Sequence, residues 1–306
     1  MQKAGTIEAD REEYMALADF INAKKKRIEL PDFKGAPIAD THAHLDMSED
    51  PARALARAGI AGVGLIVNMI SVHENPEETL ASLPGWIDSA RSLLDEEGLP
   101  DVHVPHVEVA IGSHPHNASD YTPQIRERLI DFFRNGRIAG LGEIGLDYYY
   151  DLSPRDVQMT AFKDQMLLAE ELDTVAILHI RDAHEQALEV LHETGLPKAG
   201  CVLHCFNLDA QVLKPFVDLG CHIAYGGPLT FKKSEEVRAS ASLVPRNRLL
   251  TETDSPFMAP EPCRGPNNEP ALTVFTAAVL ADSLGISNRE CAEITYANAC
   301  ALFGCA

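Results

Sequence analysis

Three features of the chain predict an α/β fold closed into a (β/α)8 TIM barrel. Short apolar segments alternate with helical patterns almost from end to end. Eight such segments are present, the number the barrel needs. The first segment ends without the G-x-G-x-x-G turn that an open, doubly wound sheet usually carries there. The strands are expected at IADTHAH (38–44), GVGLIVNMI (62–70), VEVAIGS (107–113), IAGLGEIG (138–145), VAILHI (175–180), CVLHCF (201–206), CHIAYGG (221–227) and RLLTETD (248–254). Alternation of strand and helix implies parallel pairing through right-handed crossovers. Among the helices, 155–172 has the clearest start, with Ser153 read as its cap, Pro154 as its first residue and Asp156 in its first turn. Residues 271–284 and 287–303 read as two closing helices.

A length of 306 residues, 45% hydrophobic and 24% charged, suits one large barrel. Residues 1–35 are expected as an N-terminal helical extension and linker packed outside it, and residues 36–306 as the barrel domain. The basic run Lys24 to Arg27 is read as capping or following an N-terminal helix rather than gripping phosphate. The first residues hold no signal-peptide core, and no run of about 18 apolar residues exists, so a cytoplasmic protein outside the membrane is expected. No obligate protein partner is evident. Seven cysteines, without a C-x-x-C pair, read as buried thiols of a reducing compartment. The formal net charge of −20 opposes a broad nucleic-acid footprint. It does not exclude a nuclease, because bound divalent ions can supply local positive charge.

The chemistry gathers at the carboxyl ends of the expected strands, the rim where barrel enzymes build their sites. His42 and His44, two residues apart, share one face of the first strand. The fourth strand offers Glu143, the fifth His179, the sixth His204 and the eighth Asp254. Four imidazoles and two carboxylates suit divalent cations, and Glu143 is placed to bridge two of them with its two oxygens. A lone histidine at a strand end is ordinarily structural, but six such groups on five strand ends are not explained that way, since a buried unpaired carboxylate is costly. His73, His103, His106, His184, His192 and His222 are read as structural or exposed, with His116 standing between the two groups.

The motifs DTHAHLD (40–46), IGSHPH (111–116), GEIGLDY (142–148), LHIRDA (178–183), LHCF (203–206), TDSPFMAP (253–260), RGPNNEP (264–270) and NACALF (298–303) follow in this order. In them the chain resembles the TatD family of metal-dependent hydrolases, within the amidohydrolase-type barrels. The resemblance implies two divalent metal ions. It implies His42, His44, Glu143 and Asp254 around one of them, and Glu143, His179 and His204 around the other. It also implies 3′-to-5′ exodeoxyribonuclease or related phosphodiesterase activity. Two features depart from the pattern. Pro266 and Asn267 stand where the family commonly has Lys-Arg, and the N-terminal extension is longer than usual.

Such ions make water acidic enough to lose a proton near neutral pH and polarise a phosphoryl oxygen. Asp254 is expected to take that proton, which makes Asp254 and Glu143 the catalytic carboxylates. His114 and Arg181 are expected at the substrate phosphate, Arg181 as a fork donor; Asp147 and Arg264 are candidates for orientation and substrate contact. The metal is Zn, Mn, Mg, Fe or Ni on ligand type. The partners are nucleic-acid ends or a small phosphodiester or ester. The alternative is an amidohydrolase, lactonase or deacylase, including a D-aminoacyl-tRNA deacylase, on the same site. A metal-stabilised binding protein without turnover is a third class, opposed by the presence of all six expected ligands.

Overall fold

A computed structural model describes residues 16–22, 24–136, 138–265 and 267–305. Strands β1 (Ile38–Ala43), β2 (Val63–Ser71), β3 (His106–Gly112), β4 (Gly140–Asp147), β5 (Val175–Arg181), β6 (Cys201–Leu203), β7 (His222–Tyr225) and β8 (Leu249–Thr251) form one parallel sheet in sequential order. Helices α1 (Pro51–Ile60), α2 (Pro76–Glu96), α3 (Pro123–Asn135), α4 (Arg155–Glu171), α5 (His184–Thr194), α6 (Ala210–Leu219) and α7 (Glu235–Ser240) alternate with them, and α8 (Thr273–Leu284) and α9 (Asn288–Phe303) follow β8. The sheet closes through the chain beyond β8, where Ala43 bridges Ser255, His44 N donates to Ser255 O at 2.8 Å and Asp254 N to His42 O at 2.8 Å. The fold is the predicted (β/α)8 barrel.

The strand interior is filled by Leu65, Val67, Met69, Ile177, Val202 and Leu250, with Phe303 of α9 packed against them. A larger apolar layer joins the outer faces of β4 to β8 to the helices. Strands β6, β7 and β8 end earlier than the sequence pattern suggests. Past these ends the backbone leaves the ladder, with Cys205 at φ 49° and Asp254 at φ 56°. The apolar pattern records burial, and burial continues where pairing stops.

Two expectations are corrected, and a third falls largely outside the described residues. Ser153 is not the cap of α4; Pro154 holds that position, while Ser153 Oγ accepts from Ser119 N and donates to the carbonyl of His116. Two of the cysteines, Cys300 and Cys305, are joined in a disulfide where the chain turns back at Gly304 (φ 77°). The other five are free, four of them buried. The N-terminal helix finds no place among residues 16–22 and 24–35, and residues 1–15 lie outside the described residues. Instead, Ile21 pairs antiparallel with Arg27, and Asn22 Oδ1 accepts from Lys24 N and Lys26 N. That side chain competes with the helix for backbone donors. The segment is docked on the barrel by Arg57, which donates to the carbonyls of Leu17 and Asp19, pairs with Glu269 and stacks on Phe20. No single helix among the described residues is long and apolar enough to cross a membrane.

Candidate active site

The end of β1 is fastened before it presents its imidazoles. Asp40, fully buried, accepts from Thr253 N at 2.9 Å and His42 N at 3.3 Å through Oδ1, and from Thr253 Oγ at 2.6 Å through Oδ2. Burial pushes the Asp40 carboxyl up to about 8, against the hydrogen bonds that lower it. This contact ties β1 to the segment carrying Asp254, so residues 210 or more positions apart in the chain share one rim.

Glu143 stands within β4, at a break in the register with β5. The flanking glycines allow that approach. At Gly145, with φ 142°, an added Cβ would lie 2.1 Å from the carbonyl oxygen of His179. The motif G-E-I-G therefore brings Glu143 against the imidazoles of its neighbours. Its Oε1 lies 3.5 Å from His42 Nε2, 3.3 Å from His179 Nδ1 and 3.2 Å from His204 Nε2, and its Oε2 lies 3.5 Å from His44 Nε2. Asp254 Oδ1 lies 3.6 Å from His44 Nε2 and 3.9 Å from His42 Nε2. The four expected imidazoles converge on the Glu143 carboxylate, and Asp254 meets two of them.

Burial opposes the charge on Glu143, but the surrounding imidazoles hold it well below the usual carboxylate range. Asp254 is likewise lowered despite burial, by His44 and its neighbours. Burial also works against charge on His44, yet Asp254 and Glu143 outweigh it and raise the imidazole to about 8. His42 is lowered by burial and by His204. Both ring nitrogens of His42 are buried without a hydrogen-bond partner. A nitrogen so placed, among mixed N and O donors, fits a metal cation better than any group the fold supplies.

Three overlapping sets have ligand atoms within 4.8 Å of one another: His42, His44 and Glu143; His42, His204 and Asp254; and His114, Glu143 and His179. The third includes His114, which the sequence reading left out of the metal count. Burial and the neighbouring His179 hold His114 well below its usual range. Of the substrate candidates, Arg181 lines the cavity over the site, a space of about 420 Å³. Asp147 borders the same cavity with a buried side chain: Oδ2 meets His116 Nε2 at 2.9 Å and His179 Nε2 at 3.3 Å, and Oδ1 accepts from Tyr149 N and Tyr150 N. Arg264 lies away from the cavity wall, stacked over Phe231 at 4.0 Å. Pro266 lies outside the described residues.

One residue escaped the sequence reading, and one that it left undecided gains a partner. Glu252, fully buried, places Oε1 at 3.4 Å from His204 Nδ1 and accepts from Cys205 N at 2.7 Å. Its only signal was its place two residues before Asp254 in TETD. His116 is the second imidazole on Asp147, a partnership that no spacing along the chain reveals.

A parallel eight-stranded barrel with imidazoles and carboxylates gathered at its carboxyl rim defines a metal-dependent hydrolase. The match to a family described as TatD related DNase spans residues 39–304, and the chain belongs to the TatD family. It is 33% identical over 269 residues to the uncharacterized metal-dependent hydrolase YabD of Bacillus subtilis, covering 87% of this chain and 98% of that one. It is also 33% identical to YcfH of Escherichia coli K12, with 87% and 95% covered. Among solved structures, the TatD homologue YjjV of Escherichia coli superposes with a TM-score of 0.75 at 29% identity, over 89% of this chain and 100% of that one. A phosphotriesterase homology protein of Escherichia coli, at 14% identity and a TM-score of 0.59 over 89% of this chain and 99% of that one, shares the fold.

Proposed function

We propose that the protein is a phosphodiesterase of the 3′-to-5′ exodeoxyribonuclease type, acting on nucleic-acid ends with two divalent ions. The observation that carries this reading is the Glu143 carboxylate, lying within 3.2 to 3.5 Å of four imidazoles. His42, His44, Glu143 and Asp254 would hold one ion, and Glu143, His179 and His204 the other. When bound, such ions lower the pKa of water and offset charge developing on the phosphoryl oxygens. The lowered pKa of Asp254 keeps it a carboxylate, ready to accept the proton of the attacking water. The water oxygen bonds to phosphorus, the ester P–O bond breaks, and the proton returns to the leaving oxygen. Arg181, at the cavity wall, meets a phosphate oxygen.

Asp46 and Glu74 also line the cavity and favour a second reading, in which the same site opens a carbon ester or amide of low charge. The test incubates metal-stripped and Mg²⁺-, Mn²⁺- or Zn²⁺-reconstituted protein with end-labelled single-stranded DNA, a generic phosphodiester and an acyl ester in parallel. Metal-dependent phosphodiester cleavage, lost in His204→Ala, supports the first reading; acyl cleavage alone replaces it with the second.

A further inference from the structure

Of the large apolar side chains exposed among the described residues, Tyr149, Tyr150, Met47, Phe257 and Met258, between 40% and 59% exposed, stand beside this one cavity. Exposed apolar groups gathered at one place mark a binding surface. They form two walls. Tyr149 and Tyr150 follow β4, while Phe257 and Met258 follow β8 and Met47 follows β1. In an eight-stranded barrel of sequential order, β4 and β5 stand across from β8 and β1.

Both walls are held in place. Asp147 Oδ1 accepts from Tyr149 N at 3.0 Å and Tyr150 N at 2.9 Å. The Arg181 guanidinium lies 3.9 Å from the Tyr149 ring centre and 4.8 Å from that of Tyr150, and His116 meets Tyr150 edge to face at 5.5 Å. Across the mouth, Phe257 N donates to Asp254 O at 2.8 Å, Asn268 Nδ2 to Phe257 O at 2.6 Å, and the Phe257 ring meets His44 at 6.1 Å. Rings fixed in this way stack on a planar ligand with little loss of conformational freedom.

The charge on the same surface is sparse. Arg181 is the one Lys or Arg among the described residues lining the cavity, against the carboxylates of Asp46, Glu74 and the buried Asp147 outside the metal-ligating set. One guanidinium matches one phosphodiester, and a run of phosphates would meet acids. We propose that this mouth is a two-walled aromatic subsite for the nucleobases flanking a single scissile phosphodiester, with Arg181 on that phosphate. It selects a dinucleotide-sized, charge-poor end and draws nothing from further phosphates. The subsite rests on the phosphodiesterase reading and deepens it.

The test uses Mn²⁺-loaded protein on thymidylyl-thymidine, on its abasic analogue and on decathymidylate. Tyr150→Ala and Phe257→Ala should each raise KM for the dinucleotide about 5- to 100-fold, with kcat held within about twofold, as loss of a base-stacking ring predicts. The preference of the wild type for the dinucleotide over the abasic diester should shrink by the same factor in each variant. Decathymidylate should show kcat/KM per end no better than the dinucleotide, and a logarithmic salt slope near that of one phosphate contact. An unchanged base preference in both variants overturns the subsite, as does a decamer favoured tenfold with a steep salt slope. Circular dichroism confirms that the variants fold. If metal-loaded wild type cleaves no phosphodiester, the phosphodiesterase reading fails and the subsite with it; cleavage with indifferent variants removes the subsite alone.

Discussion

Asp147 Oδ2 lies 3.3 Å from His179 Nε2, and the opposite nitrogen of that ring, Nδ1, faces Glu143 Oε1 at 3.3 Å. A carboxylate behind an imidazole selects the tautomer whose lone pair points at the cation and raises its basicity. In Asp147→Asn the amide still accepts from the tyrosine N–H groups but loses the charge that turns His179. Divalent-metal affinity should fall roughly 10- to 100-fold, measured by calorimetric titration of metal-stripped protein. Wild-type affinity in that variant would remove the orienting role.

His204 has the same arrangement with a different carboxylate. Glu252 faces Nδ1 while Nε2 meets Glu143. Because Glu252 Oε1 also accepts from Cys205 N, two substitutions separate its duties. Glu252→Gln keeps that acceptor, so thermal unfolding should stay near wild type while metal affinity falls roughly tenfold or more. Glu252→Ala leaves a buried N–H unpaired and should lower the unfolding temperature as well. Equal losses of stability in both variants would make Glu252 a purely structural residue.

These two carboxylates show where the sequence could be read and where it could not. The alternation of strand and helix, and the histidines that follow apolar runs, are local signals, so the barrel and its six rim groups were legible. Asp147 was legible as a residue of GEIGLDY but not as the partner of His116 and His179, because those contacts span 31 and 32 positions of chain. Glu252 lies inside an apolar strand pattern, where only the packed structure shows that its neighbour is an imidazole. In the described part of the N-terminal segment the Asn22 side chain takes backbone donors and Arg57 takes backbone carbonyls, contacts that local composition does not reveal.

Asp254 is fixed through its own backbone, with N donating to His42 O at 2.8 Å. Asp254→Asn removes the proton acceptor and preserves size. Turnover should fall roughly 100- to 10,000-fold, with metal content by elemental analysis and circular dichroism checked alongside. Near-normal turnover in metal-loaded protein would take the proton-accepting role from Asp254.

Metal uptake should be acid-sensitive. The carboxylates raise His44 to about 8 and raise His179 and His204 in spite of their burial. A cation must therefore displace protons from these rings, and binding releases them to solvent. Affinity should rise with pH through about 8, where His44 gives up its proton, by about tenfold per unit for each proton displaced. Titrations in buffers of different ionisation enthalpy count those protons. An affinity constant from pH 6 to 8 would refute the competition.

Asp40 affects stability in the opposite sense to an ordinary salt-bridged acid. Burial holds its folded pKa at about 8, far above the ordinary 3.8. Below about pH 4 the carboxyl is neutral in both states and exerts no effect. Between about 4 and 8 the unfolded chain gives up the proton while the folded protein keeps it, so stability declines as pH rises. The decline is at most about 1.4 kcal/mol per pH unit for one proton, and above about 8 the full cost is present. Asp40→Asn retains an acceptor for Thr253 N and His42 N and supplies an N–H to Thr253 Oγ, with no proton to lose. Urea unfolding of metal-stripped wild type and variant at pH 5, 6, 7 and 8 isolates this group, since other titrations cancel in the difference. The variant should gain on the wild type as pH rises; parallel curves would mean that Asp40 is ionised in the folded protein.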